Sequence, residues 1–308
     1  MKIGILGAAG TLGSCTAFAI LQQQIAGELW LLDVNWNLLL SHGMDLQVAA
    51  SQIGEMTVHI GAGDEDLAGC DLVVNTAGAP RREKPDRVNM LEDGVRLAAS
   101  LAETIAQYCP EALVINATNP VDHFNTVFHR VSGIPRTQLL GYSLNDSYRV
   151  RTYVAQRLGV SAKRVEALVV GEHGPHQVPL WSTMKLDGVA LEMTPEFREY
   201  VRAAIPAFLQ KMESLGTGRT AGWISGQGMA EMTAAIARNT GEIFPCSVLL
   251  QGEYGRSGFS AGVPVSIGRK GLIEVLELPL PEDEKAEFDR ALDILADTAQ
   301  TASQLLSA

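Results

Sequence analysis

Gly7, Gly10 and Gly13 stand in KIGILGAAGTLGS, directly after a run that reads as a strand and at the start of one that reads as a helix. Spaced as GxxGxxG, they differ from the stricter GxGxxG, but the physical requirements are the same. Gly7 permits a tight turn out of the strand, Gly10 lets backbone N–H groups approach a pyrophosphate, and Gly13 lets the helix pack closely on the sheet. The helix N-terminus adds partial positive charge that favours phosphate. Asp33 ends a second strand-like run, LWLLDVN, 20 residues after Gly13. A carboxylate there accepts hydrogen bonds from the ribose hydroxyls of NAD. It would repel the 2′-phosphate of NADP, and no arginine follows at once to receive that group. The expected cofactor is therefore NAD. Without strand, helix and acid in place, the same glycines would be no more than a flexible turn beside a surface aspartate.

A second cluster follows DLVVNTAG. Arg81, Arg82, Lys84 and Arg87 crowd into seven residues of APRREKPDR, together with two prolines. Ligands of an open α/β sheet bind beyond the carboxyl ends of its strands, where this loop must lie. Arginine grips a carboxylate with two parallel hydrogen bonds, which lysine does not. Arg81 and Arg87 are six residues apart, so a folded loop can aim both into one site. On these residues alone, the run is equally well an ordinary solvated loop.

These residues need a frame. KIGIL, ELWLLDV, TVHIG, DLVVNTAG, ALVINAT and QLLGYS read as strands, often apolar on successive residues, as in strands buried on both faces. Helical stretches lie between them near residues 11–24, 37–51, 88–108 and 121–131. This alternation predicts a parallel sheet with helices on both sides. Beyond residue 143 the pattern changes. A helix is expected from about Asn145 to Leu158, strands near 165–170 and 178–191, a helix from Pro195 to about Leu215, and another over 222–239. Several strands follow between Cys246 and Leu278. Pro281 then starts a C-terminal helix with Phe288, Leu292, Leu295, Ala299 and Ala302 on one core-facing side. The expected fold class is α/β, with an N-terminal Rossmann doubly wound parallel sheet in residues 1–143 and a separate α+β domain in residues 144–308.

Composition bounds the partners. The chain has 308 residues, 24 basic and 35 acidic, for a formal net charge of −11. At about 150 residues per domain, this length suits two domains. An acidic balance argues against a general nucleic-acid partner. No apolar run is long enough to span a bilayer, so no membrane partner is expected. The first strand begins at Lys2, which leaves no room for a targeting peptide. Cys15, Cys70, Cys109 and Cys246 are widely spaced and form no CxxC pair. They read as buried reduced thiols of a cytoplasmic protein, with no metal site expected.

GAAGTLG, AGAPR followed by Arg87, TNPVD, NDSYR, GEHG with VPLWS, and SVLLQGEYG occur in order along the chain. In these motifs the chain resembles the lactate/malate dehydrogenase family over essentially its whole length. The resemblance implies an NAD-binding Rossmann domain followed by an α+β substrate domain. It also implies hydride transfer between nicotinamide and the C2 carbon of a 2-hydroxy acid. His173 in GEHG then corresponds to the proton-transferring histidine and Asp146 in NDSYR to its carboxylate partner. Arg149 corresponds to the arginine that binds the substrate's C1 carboxylate, and Arg87 to the loop arginine that polarises the reacting carbonyl. Arg81 falls where the family reads the distal group of the substrate. Asn119 matches the asparagine near substrate and nicotinamide, and the Asn119–Pro120 bond is expected to be cis. The chemistry suits these residue types. A neutral imidazole accepts the O–H proton as hydride leaves carbon. A carboxylate behind it fixes the tautomer and favours the imidazolium. An arginine stabilises charge growing on oxygen in the reverse direction.

Within the family, glutamine at the position of Arg81 marks lactate dehydrogenases and arginine marks malate dehydrogenases. An arginine facing a methyl group would be desolvated without a partner. The expected partner is thus a small dicarboxylate, malate or oxaloacetate, with lactate or a larger or branched 2-hydroxy acid as the alternative. Three departures concern pocket shape. RREKPDR lacks the usual loop glycine, Asn116 puts an amide in a strand, and the family's small hydroxyl residue on a later helix does not align cleanly in ISGQGMAEMTAA, being either replaced by Ala230 or supplied by Thr233. A related NAD-dependent glycosidase family would want a cysteine where TNP stands, together with a Cys/His metal cluster. A non-catalytic dinucleotide-binding protein would not need His173, Asp146, Arg87 and Arg149 together. HGMDLQVAAS resembles the family's subunit-contact helix, so a homodimer or homotetramer is expected, although packing within one subunit would give the same pattern.

Overall fold

The computed structural model describes residues 1–78, 87–218 and 220–307. Arg81 lies outside the described residues, and Arg87 is described in its backbone alone. The first half forms β1 (Lys2–Leu6), α1 (Thr11–Gln23), β2 (Glu28–Leu32), α2 (Trp36–Ile53), β3 (Thr57–Ile60), β4 (Leu72–Asn75), α3 (Arg87–Tyr108), β5 (Leu113–Asn116), α4 (Val121–Ser132) and β6 (Leu139–Tyr142). The six strands are parallel in the order β3-β2-β1-β4-β5-β6. Every residue of β4, β5 and β6 is buried. Successive side chains of a strand point to opposite faces. Leu72, Val74, Leu113 and Ile115 accordingly meet α1 and α2 on one side, while Val73 and Val114 meet α3 and α4 on the other. The uninterrupted apolar runs of the sequence are this two-sided burial.

The second half forms α5 (Leu144–Leu158), β7 (Val165–Glu166), β8 (Val169–Gly171), β9 (Gln177–Pro179), β10 (Lys185–Leu186), β11 (Val189–Ala190), α6 (Pro195–Ser214), α7 (Gly222–Arg238), β12 (Ile243–Gln251), β13 (Ser257–Gly268), β14 (Gly271–Val275) and α8 (Glu282–Ser307). Pro195 opens α6, and the Thr194 hydroxyl accepts the backbone N–H of Phe197 to cap it. Phe288, Leu292, Leu295, Ala299 and Ala302 are all buried along α8.

The two halves are less separate than the change of pattern at residue 143 suggested. β12 pairs antiparallel with β6, aligning Cys246 with Tyr142 and Ser247 with Gly141. Among the described residues the sheet thus runs through eleven strands, continuing β6-β12-β13-β8-β9 with β14 also on β13. One apolar core contains side chains from both halves, from Ile3 and Leu31 to Met229 and Leu292. Residue 143 marks a change of strand direction within a shared sheet. A second, three-stranded sheet, β11-β10-β7, and the Trp181–Met184 core lie apart from it. No described helix is long and apolar enough to cross a membrane.

Candidate active site

At the carboxyl end of β1, the N–H groups of Gly7 and Ala8 donate to Leu32 O, folding the chain sharply towards α1. Gly7 sits at φ +80, and a Cβ there would stand 2.6 Å from Ala77 N. A Cβ on Gly13 would stand 2.2 Å from Gly7 O, so α1 approaches β1 only because that atom is missing. Gly10 is the N-cap of α1 and supplies no side-chain cap, which leaves the first-turn N–H groups for an incoming anion. Asp33 is held at the tip of β2, where Oδ2 accepts Ala9 N–H at 3.0 Å and Oδ1 accepts Asn35 N–H at 2.8 Å. All four residues border or support a cavity of about 1250 Å³. A side-chain-free turn, open helix N–H groups and a fixed carboxylate fit the pyrophosphate and ribose of NAD.

This cavity merges at Gly10, Thr76, Ala77 and Gly78 with a second of about 1190 Å³, lined by Asn119, Arg149 and His173. The junction lies at β1 and β4, where strand order reverses, the usual place for ligands in such a sheet. The expected cis peptide at Asn119–Pro120 is present. Asn116 turns out to belong to a buried chain of amides. Asn75 Nδ2 donates to Asn116 Oδ1 and Thr118 Oγ1, Asn116 Nδ2 donates to Asn125 Oδ1, and Asn125 Nδ2 donates to Ser247 O. Asn75 Oδ1 accepts Ala77 N–H, and Thr118 Oγ1 donates to Ala77 O. The polar strand residue therefore ties together the chain segments that leave β4 and β5 at the cavity floor.

Asp146 and Arg149 are one turn apart at the start of α5. Arg149 Nη1 donates to Asp146 Oδ1 at 2.9 Å, and His173 Nδ1 lies 2.6 Å from Asp146 Oδ2. An ionised carboxylate only accepts, so Nδ1 carries the hydrogen and Nε2 is left for the cavity. Burial pulls the His173 pKa down, but the charge and hydrogen bond of Asp146 outweigh it and hold the imidazole above its ordinary value of 6.5. The backbone N–H of His173 donates to Asp122 Oδ2 at 2.8 Å.

The structure thus gathers Gly7, Gly10, Gly13 and Asp33 at one end, and Asn119, Asp146, Arg149 and His173 at the other. Ala230 and Thr233 do not belong to the pocket. Both are fully buried, and the Thr233 hydroxyl bonds Met229 O within its own helix. Ala221 and Ser225 face the cavity instead. Ser225 Oγ accepts from Asn145 Nδ2, and Asn145 Oδ1 accepts from Tyr142 Oη. Asp122 ends TNPVD and Asn145 opens NDSYR, but neither residue is assigned a role there, and Ser225 lies outside the motifs of the resemblance. The available signal was Ser225 falling one helical turn after Ala221, and a carboxylate in the first turn of a helix that buries its next turns.

A dinucleotide cavity that adjoins a histidine backed by a buried carboxylate, and an arginine, is the architecture of a nicotinamide-dependent oxidoreductase. Comparison with known proteins sharpens that class. The family model for the lactate/malate dehydrogenase NAD-binding domain matches residues 1–141, and that for the lactate/malate dehydrogenase alpha/beta C-terminal domain matches residues 144–305. Malate dehydrogenase from Aeropyrum pernix is 35% identical over 305 residues, 97% of each chain. Its solved structure superposes with a TM-score of 0.89 over 97% of each chain. Malate dehydrogenase of Nitratiruptor sp. is 32% identical over 95% of this chain and 93% of its own. Lactate dehydrogenase from Cryptosporidium parvum, solved with lactic acid and NAD, gives a TM-score of 0.90 at 30% identity over 98% of each chain. The chain belongs to the lactate/malate dehydrogenase family and is an NAD-dependent oxidoreductase.

Proposed function

We propose that the protein oxidises malate to oxaloacetate and catalyses the reverse reduction, with His173 and Asp146 as the proton relay. The carrying observation is the Asp146–His173–Arg149 group, its carboxylate buried and its histidine and arginine half-buried, lining the cavity that adjoins the cofactor cavity. When bound, NAD supplies the hydride acceptor. His173 takes the alcohol proton at Nε2, and Asp146 favours the resulting imidazolium. The free part of the Arg149 guanidinium orients the C1 carboxylate. Arg87 polarises the carbonyl in reduction, Asn119 contacts substrate and nicotinamide, and Arg81 pairs with the distal carboxylate. Residues 1–143 hold the cofactor and residues 144–308 supply most of the substrate site.

Backbone likeness is silent on substrate. A malate and a lactate dehydrogenase of C. parvum both match at 30% identity and a TM-score of 0.90. Support for malate is Arg81 in the sequence, the names of the relatives, and the hydroxyl and amide of Ser225 and Asn145 in the wall, which offer little to a branched aliphatic chain. The exposed side chains of Leu40, Met44 and Val48 recur every four residues along α2 and support its role as the contact helix of a homodimer or homotetramer. Cysteines that form no disulfide support a cytoplasmic enzyme.

The test is an initial-rate panel of oxaloacetate, pyruvate, hydroxypyruvate and branched 2-oxo acids with NADH and NADPH. Oxaloacetate with NADH should give the highest kcat/KM, and a higher value for pyruvate would overturn malate as the substrate. Arg81→Gln should depress oxaloacetate turnover far more than pyruvate turnover. Equal losses would show that Arg81 does not read the distal group.

A further inference from the structure

We propose that Asp122 is a positioning residue for His173, holding its main chain from α4 and placing a second buried carboxylate behind the proton relay. The inference rests on His173 being the proton acceptor of the proposed function. Asp122 is 2% exposed in the first turn of α4, directly beyond the Asn119–Pro120 bond. One oxygen, Oδ2, accepts the His173 N–H at 2.8 Å. The other, Oδ1, is sealed from solvent, with the Ser247 hydroxyl of β12 the polar group that faces the carboxylate. Taking a carboxylate this far out of water is unfavourable even with those partners. A purely helix-capping acid would need no such arrangement, because an exposed carboxylate serves a helix N-terminus equally well.

The geometry gives the carboxylate a use. Asp146 on α5 holds the imidazole at Nδ1, while Asp122 on α4 holds the same residue at its backbone. His173 is thus fixed at both ends by two helices that approach the cavity from different directions. Glu172 and His173 beyond β8 and the Ser247 hydroxyl on β12 act on Asp122, with His123 its neighbour on α4, while Asp146 and Arg149 on α5 act on His173. Burial pushes the Asp122 carboxyl up to about 6, against the pull of Ser247 and of the His173 main chain and charge. When His173 takes up a proton, the charge behind it favours ionised Asp122, and that carboxylate in turn helps keep the proton on the imidazole.

Two variants separate the tether from the charge. Asp122→Asn keeps an oxygen for the His173 N–H and removes the negative charge, whereas Asp122→Ala removes both. The readouts are the pH profile of kcat/KM for NAD-linked oxidation of the best 2-hydroxy acid, kcat itself, and NADH affinity by fluorescence titration. Asp122→Asn should move the acid limb down by about one pH unit, as expected for loss of a nearby opposite charge. Asp122→Ala should also lower kcat on the order of 100-fold through misplacement of the imidazole. NADH affinity should stay within about twofold in both, as the clamp lies outside the glycine turn. An unshifted acid limb in Asp122→Asn overturns the charge role, and wild-type kcat in Asp122→Ala overturns the tether. If Asp122→Ala does not fold, the Asp122→Asn profile decides. Turnover retained by His173→Asn would sink the assignment of the histidine and this proposal with it. Loss of turnover there, with an unshifted limb in Asp122→Asn and wild-type kcat in Asp122→Ala, would sink this proposal alone.

Discussion

The two ends of the ligand channel are built on opposite principles. The cofactor end works through atoms that are missing. Gly7 and Gly13 leave space that a Cβ would fill at 2.6 and 2.2 Å, and Gly10 leaves the α1 N–H groups uncapped. The α1–α7 contact behind it follows the same rule, since a Cβ on Gly226 would stand 2.8 Å from the Cys15 backbone. The substrate end works through charged groups drawn together, buried Asp122 and Asp146 with half-buried Arg149 and His173, linked side chain to side chain or to backbone. A backbone cradle tolerates few added atoms but asks little of pH. A buried ionic cluster tolerates changes of shape but depends on every proton it holds.

The comparison can be sharpened by damaging one end and measuring the other. His173→Asn should have the largest effect, lowering kcat by roughly 100- to 10,000-fold, the usual worth of general acid–base catalysis. NADH affinity by fluorescence titration should be unchanged, and a matching loss there would mean the ends are not separable. Next comes stability. The carboxyl of Asp122 is displaced upward from 3.8 to about 6, so the folded state binds that proton more tightly than the unfolded chain does. Stability from this group is therefore full below about pH 4 and lost as pH rises through about 6. Asp122→Asn should be more stable than wild type at pH 8, by about 3 kcal/mol if the whole displacement is relieved. Urea unfolding should show the gain shrinking as the pH falls towards 4. A variant less stable at pH 8 would show that Ser247 and the His173 main chain compensate the buried charge in full. The smallest effect is expected at Gly13→Ala. It should cost about 1–3 kcal/mol from overpacking and weaken NADH binding. The acid limb of kcat/KM should stay above pH 6.5, where the raised imidazole puts it. A moved limb would show that strain at the glycine turn reaches the ionic cluster.

The sequence was most legible where a residue type has one physical reason to be present. The spacing of Gly7, Gly10, Gly13 and Asp33 exposed the cofactor turn, because side-chain-free positions after a strand serve few other purposes. The parallel pairing of the first six strands, though not their order, followed from apolar runs alternating with helical spacing. His173, Asp146 and Arg149 were legible through motif resemblance, since lone polar residues carry no periodicity. Residues 27 apart in sequence, such as Asp146 and His173, meet only through the tertiary fold. Asn116 looked like an anomaly because its partners, Asn75, Asn125 and Thr118, come from different elements. Ala230 and Thr233, the two alternatives for the small hydroxyl position, lie off the pocket because of their phase on α7. Ala221 and Ser225 share a face, whereas Thr233 turns inward to Met229 O.

The antiparallel pairing of β6 with β12 bears on how such a molecule can be taken apart. A gene fragment ending at residue 143 would present β6 as a naked hydrogen-bonding edge, with Gly141 and Tyr142 open to any extended strand. The complementary fragment would present β12 in the same way. The halves therefore cannot be traded as independent cassettes among relatives. A chimera joined at that point has to inherit Tyr142, Gly141, Cys246 and Ser247 as a matched set, or it will assemble with itself before it assembles correctly.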